Sequence, residues 1–278
     1  MVKDRPRVNR IPTGAAMSAL SGHRGSAKVR LPSPAAGSAM DIPLSLSPDL
    51  DRGALAAAFA RDGRLKIPGL FPEPVAQRLH HCLTREVPWG LVYNEGDKAV
   101  VLDQATLRAM PREQRAALGQ TVMQRAAQGY QYLYHTYPIV SAYLAGRDMQ
   151  LYTHRLLEYL NDGEFLDFIR AVTGIPEIVK GDAQATLYAP GQFLKKHNDY
   201  MAGGNAKVAF VLNMTPRWEA DWGGLLHFLE EDGSVTDSFV PAFNQLNIFR
   251  VPQLHSVSYV VPYAPAGRYA VTGWFRTA

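Results

Sequence analysis

The alternation of apolar and polar positions divides the chain into three stretches. From Ala183 onward, short alternating runs recur between turn residues, and none is long enough for a helix. Eight such runs can be picked out: AQATLYA, FLKKHND, KVAFVLN, GGLLHFL, SVTDSFV, QLNIFRV, HSVSYVV and RYAVTGWF. Eight short antiparallel strands with no helix between them predict a double-sheet jelly roll, the double-stranded β-helix. Upstream, apolar residues fall at helical spacing. SPDLDRGALAAAFARDG has a capping-type start and Gly63 as its stop, and PEPVAQRLHHCLTREV is a second amphipathic helix opened by proline and acid. LKIPGLF reads as a strand, and WGLVYNEGDKAVVLD as a hairpin around Glu95, Gly96 and Asp97. Residues 104–172 read as a long helical region broken by Pro111, by Pro138 and near Gly146, and closed by the stop signals Gly174 and Pro176. The expected class is α+β, with a flexible leader over 1–47, a mainly helical annex over 48–180 and a jelly-roll core over 181–278. The annex is expected to lie on one sheet and to form one compact unit with the core.

The chain has 278 residues, 47% of them hydrophobic, enough for a sizeable core. The formal charge of +4 suggests an anionic partner until its location is considered. Residues 1–39 carry seven Lys or Arg against the single acid Asp4, so the rest of the chain, with 22 basic and 24 acidic residues, is slightly acidic. No nucleic-acid partner is expected for such a body; a binder working through the basic leader is the lowest-ranked reading. The leader has no aromatic residue and little periodicity, and it is rich in Arg and poor in acid. That composition also suits an organelle transit peptide, and Met17 and Met40 are alternative starts. A lone cysteine, Cys82, cannot form an internal disulfide and fits a cytoplasmic location. No apolar run approaches the ~20 residues of a membrane span, so no membrane partner is expected.

The chemistry concentrates in LYAPGQFLKKHNDY, Leu187 to Tyr200. Side chains two apart on a strand share a face, so His197 and Asp199 can grip one metal ion from a single element. Strict alternation puts Phe193 and Lys195 on the same side as both. A short H-x-D also suits an ordinary polar surface strand. His255, at the head of HSVSYVV, is the candidate third ligand. Two histidines and a carboxylate on one octahedral face leave the opposite face open, as a non-haem Fe(II) oxygenase requires. Arg268 heads RYAVTGWF, whose alternation groups it with Ala270, Thr272 and Trp274. An inward arginine near a metal calls for an anion and can hold a carboxylate bidentately, and Tyr188 can donate a hydroxyl to the same group. Tyr130, Tyr132, Tyr134 and Tyr137 form an aromatic cluster in the helical stretch. It is expected to pack helices onto a sheet, the alternative being that one or two rings line a substrate cleft. His80, His81, His135, His154 and His227 have no ligand-like spacing, and Gly223 and Gly224 mark a turn or bulge.

In this order and spacing, YAPGQFLKKHND, WGGLLHFL, FNQLNIFRVPQLH and GRYAVTGWF resemble the 2-oxoglutarate and Fe(II)-dependent dioxygenases. The likeness is to the prolyl 4-hydroxylase-like branch, which includes the oxygen-sensing and ribosomal-protein enzymes, and it covers about residues 180–276. It implies Fe(II) on His197, Asp199 and His255. It also implies 2-oxoglutarate held by Arg268 with help from Tyr188, and Thr272 beside them. Trp274 and Gln184 are candidates for the substrate pocket. The expected reaction uses O2 to hydroxylate an unactivated C–H bond of a prolyl residue in a protein or peptide, with ascorbate as a candidate reductant. Halogenation is not expected, because Asp199 fills the position a halide would need. A free amino acid or natural-product intermediate is the alternative substrate, and a non-catalytic binding module is the rival of another class. Three departures from the pattern stand out: a longer stretch between His255 and Arg268, Phe210 and Val211 where some relatives place another tyrosine, and a larger annex. The sequence does not indicate an oligomeric state.

Overall fold

The structure, a computed structural model, describes residues 42–96, 98–200 and 204–278. Nearly all of the expected leader, and Asp97 in the expected hairpin turn, lie outside them. In chain order the elements are α1 Arg52–Asp62, β1 Arg64–Pro68, α2 Glu73–His81, β2 Gly90–Glu95, β3 Lys98–Leu102, α3 Gln104–Ala109, α4 Arg112–Gln128 and β4 Tyr132–Tyr137. Then come α5 Ile139–Leu144, α6 Tyr152–Leu160, α7 Gly163–Thr173, β5 Lys180–Gly181, β6 Gln184–Tyr188, β7 Phe193–His197, β8 Ala206–Asn213 and β9 Leu226–Leu229. The chain ends with β10 Val235–Phe239, β11 Gln245–Arg250, β12 His255–Val257 and β13 Arg268–Arg276.

The helix ends follow their signals. The Asp51 carboxylate accepts from the Ala54 amide at 3.0 Å to open α1, and Gly63 closes it in the left-handed region at φ 66°. Gly174 closes α7 in the same way at φ 67°.

Each of the eight expected core strands is present, and they form a jelly roll. The larger sheet runs β1-β11-β8-β13-β6 and the smaller β7-β12-β9-β10, all antiparallel. β4 joins them: it pairs with β6 at His135 and Leu187, with β7 at Tyr132 and Leu194, and with β2 at Gly90 and Thr136.

β4 corrects the expectation that 104–172, though broken at its prolines and near Gly146, is helical throughout. YLYHTY alternates with period two and is made of residues that favour strands, so a strand forms there between two sheets short of a partner. A second correction concerns HSVSYVV, whose strand stops at Val257. From Ser258 on, the backbone bonds instead to Leu225, Gln192 and Trp222, carrying the long connection to Arg268 back across the glycine turn.

The helices cover the outer face of the larger sheet. Phe59, Leu79, Leu156, Phe165 and Phe168 pack on Val208, Phe210, Leu246, Ile248 and Phe275 in one continuous core, each buried ring or branched chain contributing about 1.5–3 kcal/mol. Not all of the annex lies there. α4 instead covers the seam between the sheets, where Val122 meets Tyr93 and Phe193. The opposite face of the larger sheet looks onto the smaller one, and the space between them holds the cavity described below.

The turn ahead of β9 depends on glycine. Gly223 has φ 71°, and a Cβ there would lie 1.9 Å from the carbonyl oxygen of Tyr259. Gly223→Ala is therefore expected to destabilise the fold by about 2–4 kcal/mol, seen as a lower urea midpoint at unchanged slope.

Candidate active site

His197 ends β7, His255 begins β12, and the two are directly opposed in the ladder. Adjacent strands therefore deliver both imidazoles to one place, with ring centroids 4.0 Å apart. Asp199 arrives differently from the expectation, since β7 ends at His197. Asp199 lies two residues past the strand, with left-handed backbone at φ 55°, a conformation aspartate tolerates better than most residues. Strict alternation also fails within β7. His255 opposes His197 but Val257 opposes Leu194, so β7 holds one residue more than its partner, a bulge. Leu194 consequently lines the cavity, while Phe193 packs beneath α4 and the Lys195 ammonium bonds the carbonyls of Ala126 and Gly129.

The three groups converge. Their ligand atoms all lie within 4.8 Å of one another: His197 Nε2 is 3.4 Å from Asp199 Oδ1, and His255 Nε2 is 3.5 Å from Asp199 Oδ2. Each Nδ1 faces a backbone carbonyl, Lys195 O at 2.9 Å for His197 and Gln253 O at 2.7 Å for His255. That contact fixes the Nδ1–H tautomer and turns each Nε2 lone pair toward the shared point. The Trp274 indole N–H donates to Asp199 Oδ2 at 3.1 Å and holds the carboxylate in place. Burial alone would push the Asp199 carboxyl up, but His255, His197 and the Trp274 N–H outweigh it and hold it at about 2. Burial, then His197, pushes His255 down to about 4. At neutral pH the carboxylate is thus charged and His255 neutral, the forms in which each binds a metal. Two imidazole nitrogens and a carboxylate oxygen, all buried, fit Fe(II).

The inward row of β13 reaches from Trp274, beside Asp199, to Arg268, six residues and about 20 Å of strand away. Arg268 is 1% exposed. Its Nη2 donates to Asn213 Oδ1 at 3.2 Å, and its Nε and Nη1 have no partner among the described residues. Burial pushes its pKa down to about 10, with Tyr188 opposing, so it stays cationic at neutral pH. A buried cation with idle donors is costly unless an anion meets it. Tyr188 places its ring 5.5 Å from the guanidinium carbon, and burial holds its phenol well above 10, a protonated donor.

Between these ends lies a cavity of about 150 Å³. Gln184, Thr272 and Trp274 line it, together with Val211 and Phe210, whose ring packs on Phe275. The polar side chain that KVAFVLN sends toward Arg268 is therefore Asn213, which sequence reasoning passed over. It also undervalued the tyrosines: Tyr130, Tyr132 and Tyr134 all line the cavity. From His197 the ring centroids step 6.2, 5.8, 5.7 and 5.1 Å through Tyr130, Tyr132, Tyr134 and Tyr188, a continuous aromatic wall from metal ligands to arginine. The other described histidines have ordinary partners: His227 meets Ser238 Oγ, His135 meets Gln192, His80 meets Met214 O, His81 lies beside Glu86, and His154 packs on Tyr137.

Fold and site together define a jelly-roll protein with a two-histidine, one-carboxylate metal centre and a buried cationic floor. Residues 183–276 match the family model described as the 2OG-Fe(II) oxygenase superfamily. This part of the chain is similar to 2OG-Fe(II) oxygenase domains, and the buried His197, Asp199 and His255 fit the Fe(II) of that family. Prolyl 3-hydroxylase OGFOD1 of Mus musculus is 29% identical over 119 residues, 40% of this chain and 21% of that protein. The chain thus spans about a fifth of that relative's length. Among solved structures, a Trichoplax adhaerens prolyl hydroxylase in complex with a hypoxia-inducible-factor peptide fragment has a TM-score of 0.54 at 15% identity, covering 81% of this chain and 89% of that one. A Burkholderia pseudomallei oxidoreductase of the 2OG-Fe(II) oxygenase family has 0.53 at 12% identity, covering 82% and 92%. These likenesses establish the fold.

Proposed function

We propose that the protein is a 2-oxoglutarate-dependent hydroxylase whose substrate is a prolyl residue in a protein or peptide. The observation that carries the cosubstrate is Arg268, buried with two idle nitrogens at the far end of the cavity from His197, Asp199 and His255. His197, Asp199 and His255 hold Fe(II), and Arg268 with the Tyr188 hydroxyl holds the distal carboxylate of the five-carbon diacid. Thr272, between Arg268 and Trp274 on β13, adds polar lining. When bound, the iron couples decarboxylation of 2-oxoglutarate by O2 to oxidation of a C–H bond, giving succinate, CO2 and a hydroxylated product. The chain's own residues do the positioning. Trp274 steadies the Asp199 carboxylate, the two backbone carbonyls keep both imidazoles in the metal-binding tautomer, and Leu194, Val211, Leu226 and Phe249 keep the lining dry.

The prolyl substrate is supported by the similarity to the mouse prolyl 3-hydroxylase and by the aromatic wall. A saturated ring with polarised C–H bonds packs well on tyrosine faces, and Tyr130 stands nearest the metal ligands. Tyr130→Ala is expected to lower hydroxylated product per succinate about tenfold while the 2-oxoglutarate KM stays within a factor of about two. Paired assays of product and succinate check this. The substrate itself is tested by screening Fe(II)-loaded protein, with ascorbate as reductant, for succinate release on prolyl peptides and on free amino acids. Peptide-dependent release supports the proposal, release with free amino acids alone replaces the substrate, and absence of both Fe(II) and 2-oxoglutarate binding would leave a non-catalytic module.

A further inference from the structure

Asn213 is a charge-free neighbour of the buried guanidinium, and its surroundings leave its amide a single orientation. It ends β8 on the inward row whose earlier members are Ala209 and Val211, and it is fully buried. Polar groups are absent from such a row unless something satisfies them. Its Nδ2 is turned toward the carbonyls of Val211 and Gln245, at 3.5 and 3.4 Å. That leaves Oδ1 to face Arg268, where it takes the Nη2 hydrogen at 3.2 Å. One row further along, Gln245 Nε2 donates to Asn247 Oδ1 at 2.9 Å, so the floor beside Arg268 is a ladder of amides carrying no negative charge.

We propose that Asn213 is a positioning residue for Arg268. It fixes the guanidinium with a neutral acceptor, so that Nε and Nη1 are left idle and the positive charge is left uncancelled for the distal carboxylate of the cosubstrate. The inference rests on the reading of Arg268 as the carboxylate anchor. It adds a requirement: the residue holding the arginine must accept a hydrogen bond without being an anion. An aspartate at the same place would hold the arginine better and spoil the site, because its charge would take the place of the ligand's.

The test uses the full chain loaded with Mn(II), with 2-oxoglutarate as the probe in calorimetry and thermal unfolding followed without cosubstrate. Asn213→Ala is expected to weaken 2-oxoglutarate binding about tenfold or more, the loss of one hydrogen bond to a charged group. Asn213→Asp is expected to weaken it further, at least 100-fold. Asn213→Ser, a shorter neutral acceptor, is expected to recover part of the affinity lost in Asn213→Ala. A merely structural amide gives the opposite pattern: the variants that fold would bind 2-oxoglutarate like wild type. That result would overturn the inference while leaving the anchor intact, provided Arg268→Ala still loses binding. If the wild-type protein binds no 2-oxoglutarate, the anchor reading falls and this inference falls with it.

Discussion

Arg268→Ala is expected to raise the 2-oxoglutarate dissociation constant by about 100-fold or more, because it strands the ligand's distal carboxylate in a dry pocket without its counter-charge. The residues around it offer no substitute cation: the lining named above is aromatic, aliphatic, hydroxyl or neutral amide, with the metal ligands at the other end. Removing the guanidinium also relieves the cosubstrate-free protein of a buried, half-satisfied cation, so stability without ligand is expected to hold or rise. Affinity and stability moving in opposite directions mark a ligand-binding arginine. A structural one would lose both. Titration calorimetry beside a thermal melt separates the two cases.

Asp199→Ala is expected to cost more than about 100-fold in Fe(II) affinity, above the range seen for removing groups that merely support a ligand, and to cut succinate formation to that of metal-free protein. Asp199 is the charged member of the triad, and its two oxygens face His197 and His255 separately, so no neighbour can assume its place. Iron content per chain after anaerobic loading is the measurement. His197→Ala is expected to behave alike, since its ligand atom lies within 4.8 Å of those of Asp199 and His255.

The jelly roll was legible because eight short alternating runs leave no room for crossover helices, and each run holds one observed strand, with β8 and β13 reaching one residue beyond theirs. His197, His255 and Arg268 were legible because each stands at a strand end, where the topology collects side chains around one cavity. The misreadings have local physical causes. Alternation assumes an unbroken ladder, and the bulge in β7 turned Leu194 rather than Phe193 and Lys195 toward the cavity. Asp199 still reached the site, through a left-handed residue that no periodicity signals. β4 was hidden by long helical stretches on either side, although Tyr130, Tyr132, Tyr134 and Thr136 already carried period two. Asn213 could be found only once β8 and β13 were in register, because its importance lies in what stands beside it, Arg268, and not in its own neighbours along the chain.

The central claim is that one cavity reads a five-carbon diacid by both ends, metal at one and guanidinium at the other. Its most direct test compares 2-oxoglutarate with 2-oxopentanoate, the same 2-oxo acid without the distal carboxylate, binding to Mn(II)-loaded protein by calorimetry. The predicted result is one site per chain, with the monoacid at least about 100-fold weaker and that difference abolished by Arg268→Ala. Equal affinity for the two acids in the wild-type protein would contradict the account.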